Sequence, residues 1–263
     1  MYAFNYERPA TVAAAAQRAA SGAQLLAGGQ TLLASMKLRL TNPEVLVDLA
    51  GIAELSGICR DGDGIVIGAM TRHAAVASHA EVLSALPALA DLAGHIGDRQ
   101  VRAMGTLGGS VANNDPAACY PSAVLALGAT VHTTQRAIAA DDFFTGMFST
   151  ALNDDEIITS IRFALPQRAA YMKFKQPASR FAMVGVFVAQ FATGVRVAVT
   201  GAANGVFRHA GLEAALTRSF TPEAAAAVAI DPTDLNRDIH ASAAYRANLV
   251  SVQAQRAVAK ALG

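Results

Sequence analysis

Gly105-Thr106-Leu107-Gly108-Gly109-Ser110-Val111-Ala112-Asn113-Asn114-Asp115-Pro116 sets two adjacent glycines ahead of Ser, Asn, Asn and Asp. Such a backbone approaches a ligand closely, and the residues behind it crowd small hydrogen-bonding groups into one place. Packing alone does not call for so many polar groups beside so much glycine; an Asx-rich turn is the plainer alternative. Upstream, Leu25-Leu26-Ala27-Gly28-Gly29-Gln30-Thr31-Leu32-Leu33 puts a Gly-Gly turn between a predicted strand and a predicted helix. Amides at such a helix start point outward and favour an anion, most often phosphate, and Thr31 adds a hydroxyl. A turn that uses glycine only for its dihedral freedom is the alternative here. Neither segment is GxGxxG or GxxxxGK[ST], so the nicotinamide-fold fingerprint and the P-loop are missing. Two such loops roughly 80 residues apart suggest a ligand with two phosphates and an extended body.

Around the first loop, short helices and strands alternate: helix over 11–20, strand over 24–26, helix over 31–38, strand over 45–48. The stretch 55–68 reads as a hairpin through Asp61-Gly62-Asp63-Gly64, and helices follow over 71–78, 81–86 and 87–96. A short hairpin is expected over 129–134 and 137–140, with Asp141 or Asp142 capping a turn of helix that carries Phe143 and Phe144. A strand over 157–163 ends before Pro166. Three longer strands over 171–176, 183–191 and 195–200 come next, then helices over 209–217, 222–230 and from about 241. The change of texture places a domain boundary near 168, at Pro166-Gln167-Arg168.

Composition narrows the function. The chain has 263 residues, 53% of them hydrophobic and 16% charged, with a formal net charge of +1. It is apolar enough to fold around a substantial core, and the even charge balance removes the attraction that nucleic acid or an anionic membrane would need. The low charge fraction reads equally as an alanine-rich composition or as surface covered by another chain. Cys59 and Cys119 form no CxxC or Cys/His spacing, so the chain alone builds neither a zinc site nor a Cys-ligated iron–sulfur cluster. Met1–Ala10 lacks a basic or apolar leader pattern, which predicts a cytoplasmic protein, and no apolar stretch reads as a membrane span. His73, His79, His95, His132, His209 and His240 share no metal spacing and read as surface or cap residues. No GxSxG elbow occurs. Arg99 or Arg102, just ahead of the second loop, is a candidate for a phosphate or an interface, with a solvated helix end expected for one of them.

The segments AGGQTLL (27–33), QVRAMGTLGGS (100–110), NDPAA (114–118) and FKQ (174–176) together resemble the FAD-binding medium subunit of molybdenum hydroxylases, relatives of carbon monoxide dehydrogenase and xanthine dehydrogenase. The resemblance covers essentially the whole chain, and the TxGG loop is its most specific part. It implies an α+β fold: a two-subdomain FAD-binding domain of the vanillyl-alcohol oxidase-like (PCMH) type over 1–168, split at about 54/55, then a three-stranded sheet with a helical bundle over 169–263. It implies FAD held by Ala27, Gly28, Gly29, Gln30, Thr31 and Leu32 of the first loop and by Thr106, Gly108, Gly109 and Ser110 of the second. Asn113 stands where relatives place a polar residue, and Asp115 follows it. Lys175 matches a lysine beside the flavin ring, where a cation favours the reduced form, and Phe181 matches a side chain set against that ring. Relatives carry an aspartate for the ribose or adenine end where this chain has Cys119, a poorer acceptor; Asp115 or a backbone carbonyl is then left to take that contact. No histidine aligns with a flavin-linking one, so noncovalent FAD is expected.

The implied function is electron transfer: iron–sulfur clusters of a small [2Fe-2S] subunit pass electrons from a large molybdopterin-binding subunit to the FAD of this chain, which hands them to an external acceptor. No catalytic acid or base and no metal ligand are then expected here. Two rivals stand beside this reading. One is a self-sufficient FAD oxidoreductase of the same fold, against which the lack of an obvious base counts. The other is a cofactor-free scaffold, which has no need of two glycine loops.

Overall fold

The computed structural model describes residues 1–263, arranged as a mixture of helices and three main sheets. Near the N-terminus, the parallel strands Asn5–Glu7, Val45–Asp48 and Gln24–Leu26 lie side by side with Val45–Asp48 in the middle. Helix Val12–Ala20 covers this sheet, its first turn closed by the Thr11 hydroxyl, which accepts from the Ala14 amide at 3.2 Å. Ala15 and Ala19 face inward, and the chain then enters Gln24–Leu26 and the first glycine loop.

A five-stranded antiparallel sheet follows, in the order Ile58–Asp61, Gly64–Gly68, Ile158–Ala164, Thr130–Thr133, Ala137–Ala139. Its central strand arrives long after its partner Gly64–Gly68, and the intervening chain supplies the helices that pack on the sheet and carry the second loop. Ile65, Ile67, Ile161 and Phe163 are fully buried in the largest core, together with Leu89, Leu92, Tyr120 and Val124 from those helices.

Strand Ala182–Phe191 explains how the C-terminal sheet joins the rest. Its first eight residues are buried, a continuous run that requires cover on both faces. Val184, Val186 and Val188 pack toward Leu249, Val250, Ala254 and Val258 of helix Ala243–Leu262. Phe187 and Ala189 belong instead to the core that holds Tyr120 and Val124 of helix Tyr120–Ala126. The period-two alternation of a strand thereby places one sheet between a C-terminal helix and an N-terminal one.

The structure departs from the expected elements at several points. The C-terminal sheet has four strands rather than three, Phe207–Arg208 being added beside Gly194–Thr200; two residues are too few to leave a pattern. The helix expected over 222–230 stops at Ala226, because Val228 and Ile230 turn into the C-terminal core and Pro232 disfavours helix at the residue before it. Asp141 and Asp142 cap nothing: helix Ala140–Phe143 has no side-chain cap, and Phe144 starts strand Phe144–Gly146. Asp141 instead accepts from Arg196 at 2.8 and 3.0 Å and from Arg208 at 3.3 Å, tying the C-terminal sheet to the five-stranded one. His73, expected at a surface, is 4% exposed, whereas His209 does cap its helix, accepting from the Leu212 amide through Nδ1. No helix is long and apolar enough to cross a membrane.

Candidate cofactor cleft

The two glycine segments touch. Gly28 lies against the Met104 carbonyl and within 2.7 Å, measured from a hypothetical Cβ, of Gly105 Cα, so any side chain there would overlap main chain that has nowhere to go. Gly29 adopts φ +70°, the left-handed turn that swings the chain from strand Gln24–Leu26 toward helix Leu32–Lys37. Where the segments meet they floor a cleft of about 940 Å³ that runs to the loop between strands Arg168–Lys175 and Ala182–Phe191.

Their amides are used differently. In the second segment, Leu107 N–H donates to the Thr71 carbonyl at 3.0 Å and Gly108 N–H to the Ala69 carbonyl at 2.8 Å. Gly109 N–H donates to Thr106 Oγ1 at 3.2 Å and Ser110 N–H to the Thr106 carbonyl at 3.1 Å. Instead of an open Asx-rich turn, the chain forms helix Leu107–Asn113, capped by Thr106 and docked on 69–71. In the first segment no protein group accepts from the amides of Gly28, Gly29, Gln30, Thr31 or Leu32. Five consecutive donors with no acceptor at the floor of a cleft suit an oxyanion with several oxygens, such as a phosphate group.

Of the residues expected to bind the cofactor, Ala27, Gly28, Gly29, Gln30, Thr31, Leu32, Thr106, Gly108, Gly109, Ser110, Asn113, Asp115 and Phe181 line this cleft. Lys175 does not. It is exposed at the end of its strand, where a bulge follows Phe174, and the lysine in the cleft is Lys173, two residues earlier. Arg102 does not line it either: its guanidinium donates to the carbonyls of Ile96 and Gly97 at 3.0 and 3.1 Å, and Arg99 also lies outside. Asp115 keeps one carboxylate oxygen for the Ala117 amide at 2.8 Å, leaving the other free. The carbonyls of Pro116, Ala117 and Ala118 are all taken by the C-terminal sheet, through Thr200 Oγ1, Gly201 N–H and Ala182 N–H. Asp115 thus keeps a free carboxylate oxygen in the cleft, while each of those carbonyls already serves a donor of the C-terminal half.

Several cleft residues were not marked by sequence. His73 packs against Tyr120 with the rings tilted by 55° and their centroids 5.3 Å apart, and its Nδ1 has no partner; burial, aided by Arg102, pushes its pKa down to about 4, so it is neutral near pH 7. Phe148 enters from the hairpin Phe144–Thr150, held by Asn114 Nδ2, which donates to the carbonyls of Gly146 and Ser149 at 2.8 Å each. Glu156 has a fully buried side chain and accepts from Arg136 Nε at 3.0 Å, Thr133 Oγ1 at 2.6 Å and the Asn153 amide at 3.0 Å. A sequence signal existed for none of them, because each depends on a contact between distant segments.

The Arg136 hydrogen bond, with help from Thr133 and Asn153, overcomes burial and lowers the Glu156 pKa from 4.5 to about 2. A depressed carboxylate contributes its stability above the unfolded-state value and loses it as pH falls toward the folded one. Between pH 5.5 and 3 the wild type is expected to lose about 2 kcal/mol that Glu156→Gln does not, an upper figure because Arg136 is half exposed. Urea midpoints of both proteins at the two pH values check this; parallel curves would contradict it.

No group of three or more His, Cys, Asp or Glu side chains is arranged to hold a metal. Residues 2–166 match a family described as the FAD binding domain in molybdopterin dehydrogenase. The chain is 35% identical to the carbon monoxide dehydrogenase medium chain of Hydrogenophaga pseudoflava, over 97% of this chain and 96% of the relative. It is 33% identical to the nicotine 6-hydroxylase medium subunit of Paenarthrobacter nicotinovorans, over 98% and 97% respectively. Among solved structures it resembles a chain of H. pseudoflava carbon monoxide dehydrogenase, with TM-score 0.91, 33% identity and coverage of 99% of this chain and 98% of that one. A chain of quinoline 2-oxidoreductase from Pseudomonas putida 86 gives 0.90, 28% identity and coverage of 99% and 97%.

Proposed function

Because the chain belongs to the family of FAD-binding medium subunits of molybdopterin dehydrogenases, we propose that it holds noncovalent FAD in the cleft described above and serves as the electron-transfer subunit of a heteromeric molybdenum hydroxylase. The observation that carries this reading is the row of acceptor-free amides from Gly28 to Leu32 beside the second loop, a cradle suited to a pyrophosphate. The hydroxyls of Thr31 and Ser110 and the Asn113 amide extend it with side-chain donors, and the free oxygen of Asp115 suits a ribose hydroxyl. Lys173, the lysine that lines the cleft, would supply the cation beside the ring that sequence assigned to Lys175, and Phe181 would contact the ring.

FAD, when bound, supplies redox chemistry that accepts electrons one or two at a time. This chain's residues bind it, orient it and surround part of it with apolar side chains. His73, the histidine whose ring is buried at the cleft wall, is held neutral and packed against Tyr120. The electrons come from a small [2Fe-2S] subunit served by a large molybdopterin-binding subunit, and leave to an external acceptor. The assembly is cytoplasmic. Within this chain we assign residues 1–168 to a PCMH-type FAD-binding domain, its subdomains meeting at about 54/55, and 169–263 to a C-terminal sheet-and-helix domain.

An absorbance spectrum of the purified chain, before and after addition of FAD, tests the reading. Flavin bands at roughly 370 and 450 nm that stay with the protein through gel filtration and leave it on acid precipitation are expected. A chain that remains colourless after FAD addition would overturn it.

A further inference from the structure

The Lys173 ammonium donates to three acceptors: the His95 carbonyl at 2.8 Å, the Arg180 carbonyl at 2.9 Å and Cys119 Sγ at 3.4 Å. Three N–H bonds are all an ammonium has, so its place in the cleft is fixed. None of the three partners is an anion at a carboxylate oxygen. Lys173 forms no ion pair with a carboxylate, and Asp91 of helix Pro87–Gly94 is already occupied by Lys260 Nζ at 2.8 Å, with His95 Nδ1 at 3.5 Å from its other oxygen. Behind the sulfur lie the hydroxyls of Tyr120 and Tyr171, both buried and without an acceptor of ordinary hydrogen-bond geometry. Burial pushes both phenols up and keeps them protonated, so they add no negative charge.

We propose that Cys119 is a positioning residue: its thiol anchors the Lys173 ammonium in the cleft without neutralising it, so that the bound cofactor meets an uncompensated positive charge. The inference rests on the reading that FAD fills this cleft with its ring toward Phe181, which puts Cys119, bonded to Lys173, at the ring end rather than at the ribose or adenine end that the resemblance implied. A neutral, polarizable sulfur fills the third direction of the ammonium at little electrostatic cost, whereas a carboxylate at the same distance would form an ion pair and cancel most of the field in the cleft. The same ammonium, through the Arg180 carbonyl, ties down the turn that presents Phe181, in which Gln176 N–H donates to the Phe181 carbonyl and Arg180 N–H to the Gln176 carbonyl. Charge and ring contact are thus set by one side chain, and Cys119 governs how much of that charge is expressed.

The test is the midpoint potential of FAD bound to the full chain, measured by spectroelectrochemical titration for the wild type, Cys119→Ser, Cys119→Asp and Lys173→Met, with FAD affinity measured alongside. Cys119→Ser, also neutral, is expected to keep the wild-type potential. Cys119→Asp and Lys173→Met are each expected to reduce the preference for reduced over oxidised FAD by about tenfold, a fall of ~30 mV for a two-electron couple. If Cys119→Asp does not fold, Lys173→Met alone decides, since an unchanged potential there means the charge is not felt. A Cys119→Ser potential that falls as far as that of Cys119→Asp overturns the proposal, as does a Cys119→Asp potential equal to the wild type. A wild-type chain that takes up no FAD overturns the flavin reading itself; FAD-loaded variants with equal potentials overturn only this inference.

Discussion

Gly28→Val is expected to abolish FAD uptake and to lower the unfolding free energy by about 3 kcal/mol, with Gly28→Ala showing the same effects in smaller measure. The cause is a collision with main chain. A Cβ at Gly28 meets the Met104 carbonyl group and Gly105 Cα, and these atoms belong to a segment already held by the Val101, Thr71 and Ala69 carbonyls. The first loop must then lift away from the second, carrying with it the acceptor-free amides from Gly28 to Leu32. Gly205→Ala is the control, since a Cβ there meets nothing within 4 Å. Fluorescence titration with FAD and urea unfolding measure the two effects. Normal FAD affinity in Gly28→Val would show that the contact between the loops is dispensable.

Arg246→Met is expected to cost about 3–5 kcal/mol, the range for breaking a buried, hydrogen-bonded charge network. Arg246 is 4% exposed on helix Ala243–Leu262 and donates through Nη1 to the carbonyls of Met183 and Gly201 at 2.8 and 2.9 Å, and through Nη2 to Asp238 at 2.6 Å. It pins that helix to the start of strand Ala182–Phe191 and to the residue after strand Gly194–Thr200. Methionine fills much of the volume but leaves two buried carbonyls without a donor. Lysine does not replace it, because a single ammonium cannot reproduce the planar fork that serves three acceptors in different directions. Chemical denaturation of the three proteins gives the ordering; a lysine variant as stable as the wild type would contradict this account.

The two glycine segments that meet in the cleft stand out in the sequence because their signals are local: Gly-Gly pairs, small polar neighbours and a preceding strand all lie within a dozen residues. Sequence misjudged the second loop's conformation. Gly108 and Gly109 are poor helix formers, yet Leu107–Asn113 is helical because the Thr106 hydroxyl and the carbonyls of Ala69 and Thr71 receive its first amides. Those carbonyls come from a segment more than thirty residues away in the chain, which no local pattern reports. That Lys173 rather than Lys175 lines the cleft was out of reach for a similar reason. Lys173 and Lys175 alternate with the same neighbours along one strand, and only the bulge after Phe174 and the approach of His95, Cys119 and Arg180 tell them apart. The sheet order was equally out of reach, since Gly64–Gly68 pairs with Ile158–Ala164 across a long insertion of helices.

The short run from Pro116 to Ala118 gives every one of its carbonyls to the C-terminal sheet while the residues on either side of it line the cofactor cleft. Those peptide groups are held in common by the two halves of the chain, so neither half can loosen without exposing buried acceptors in the other. Cofactor affinity and the integrity of the C-terminal half are therefore thermodynamically linked: a ligand at a hundredfold excess over its dissociation constant adds about 2.7 kcal/mol to the stability of the whole cooperative unit. Linkage is reciprocal. Any partner that binds and stabilises the C-terminal half tightens the grip on a ligand in the cleft, and that ligand favours the partner's binding by the same factor.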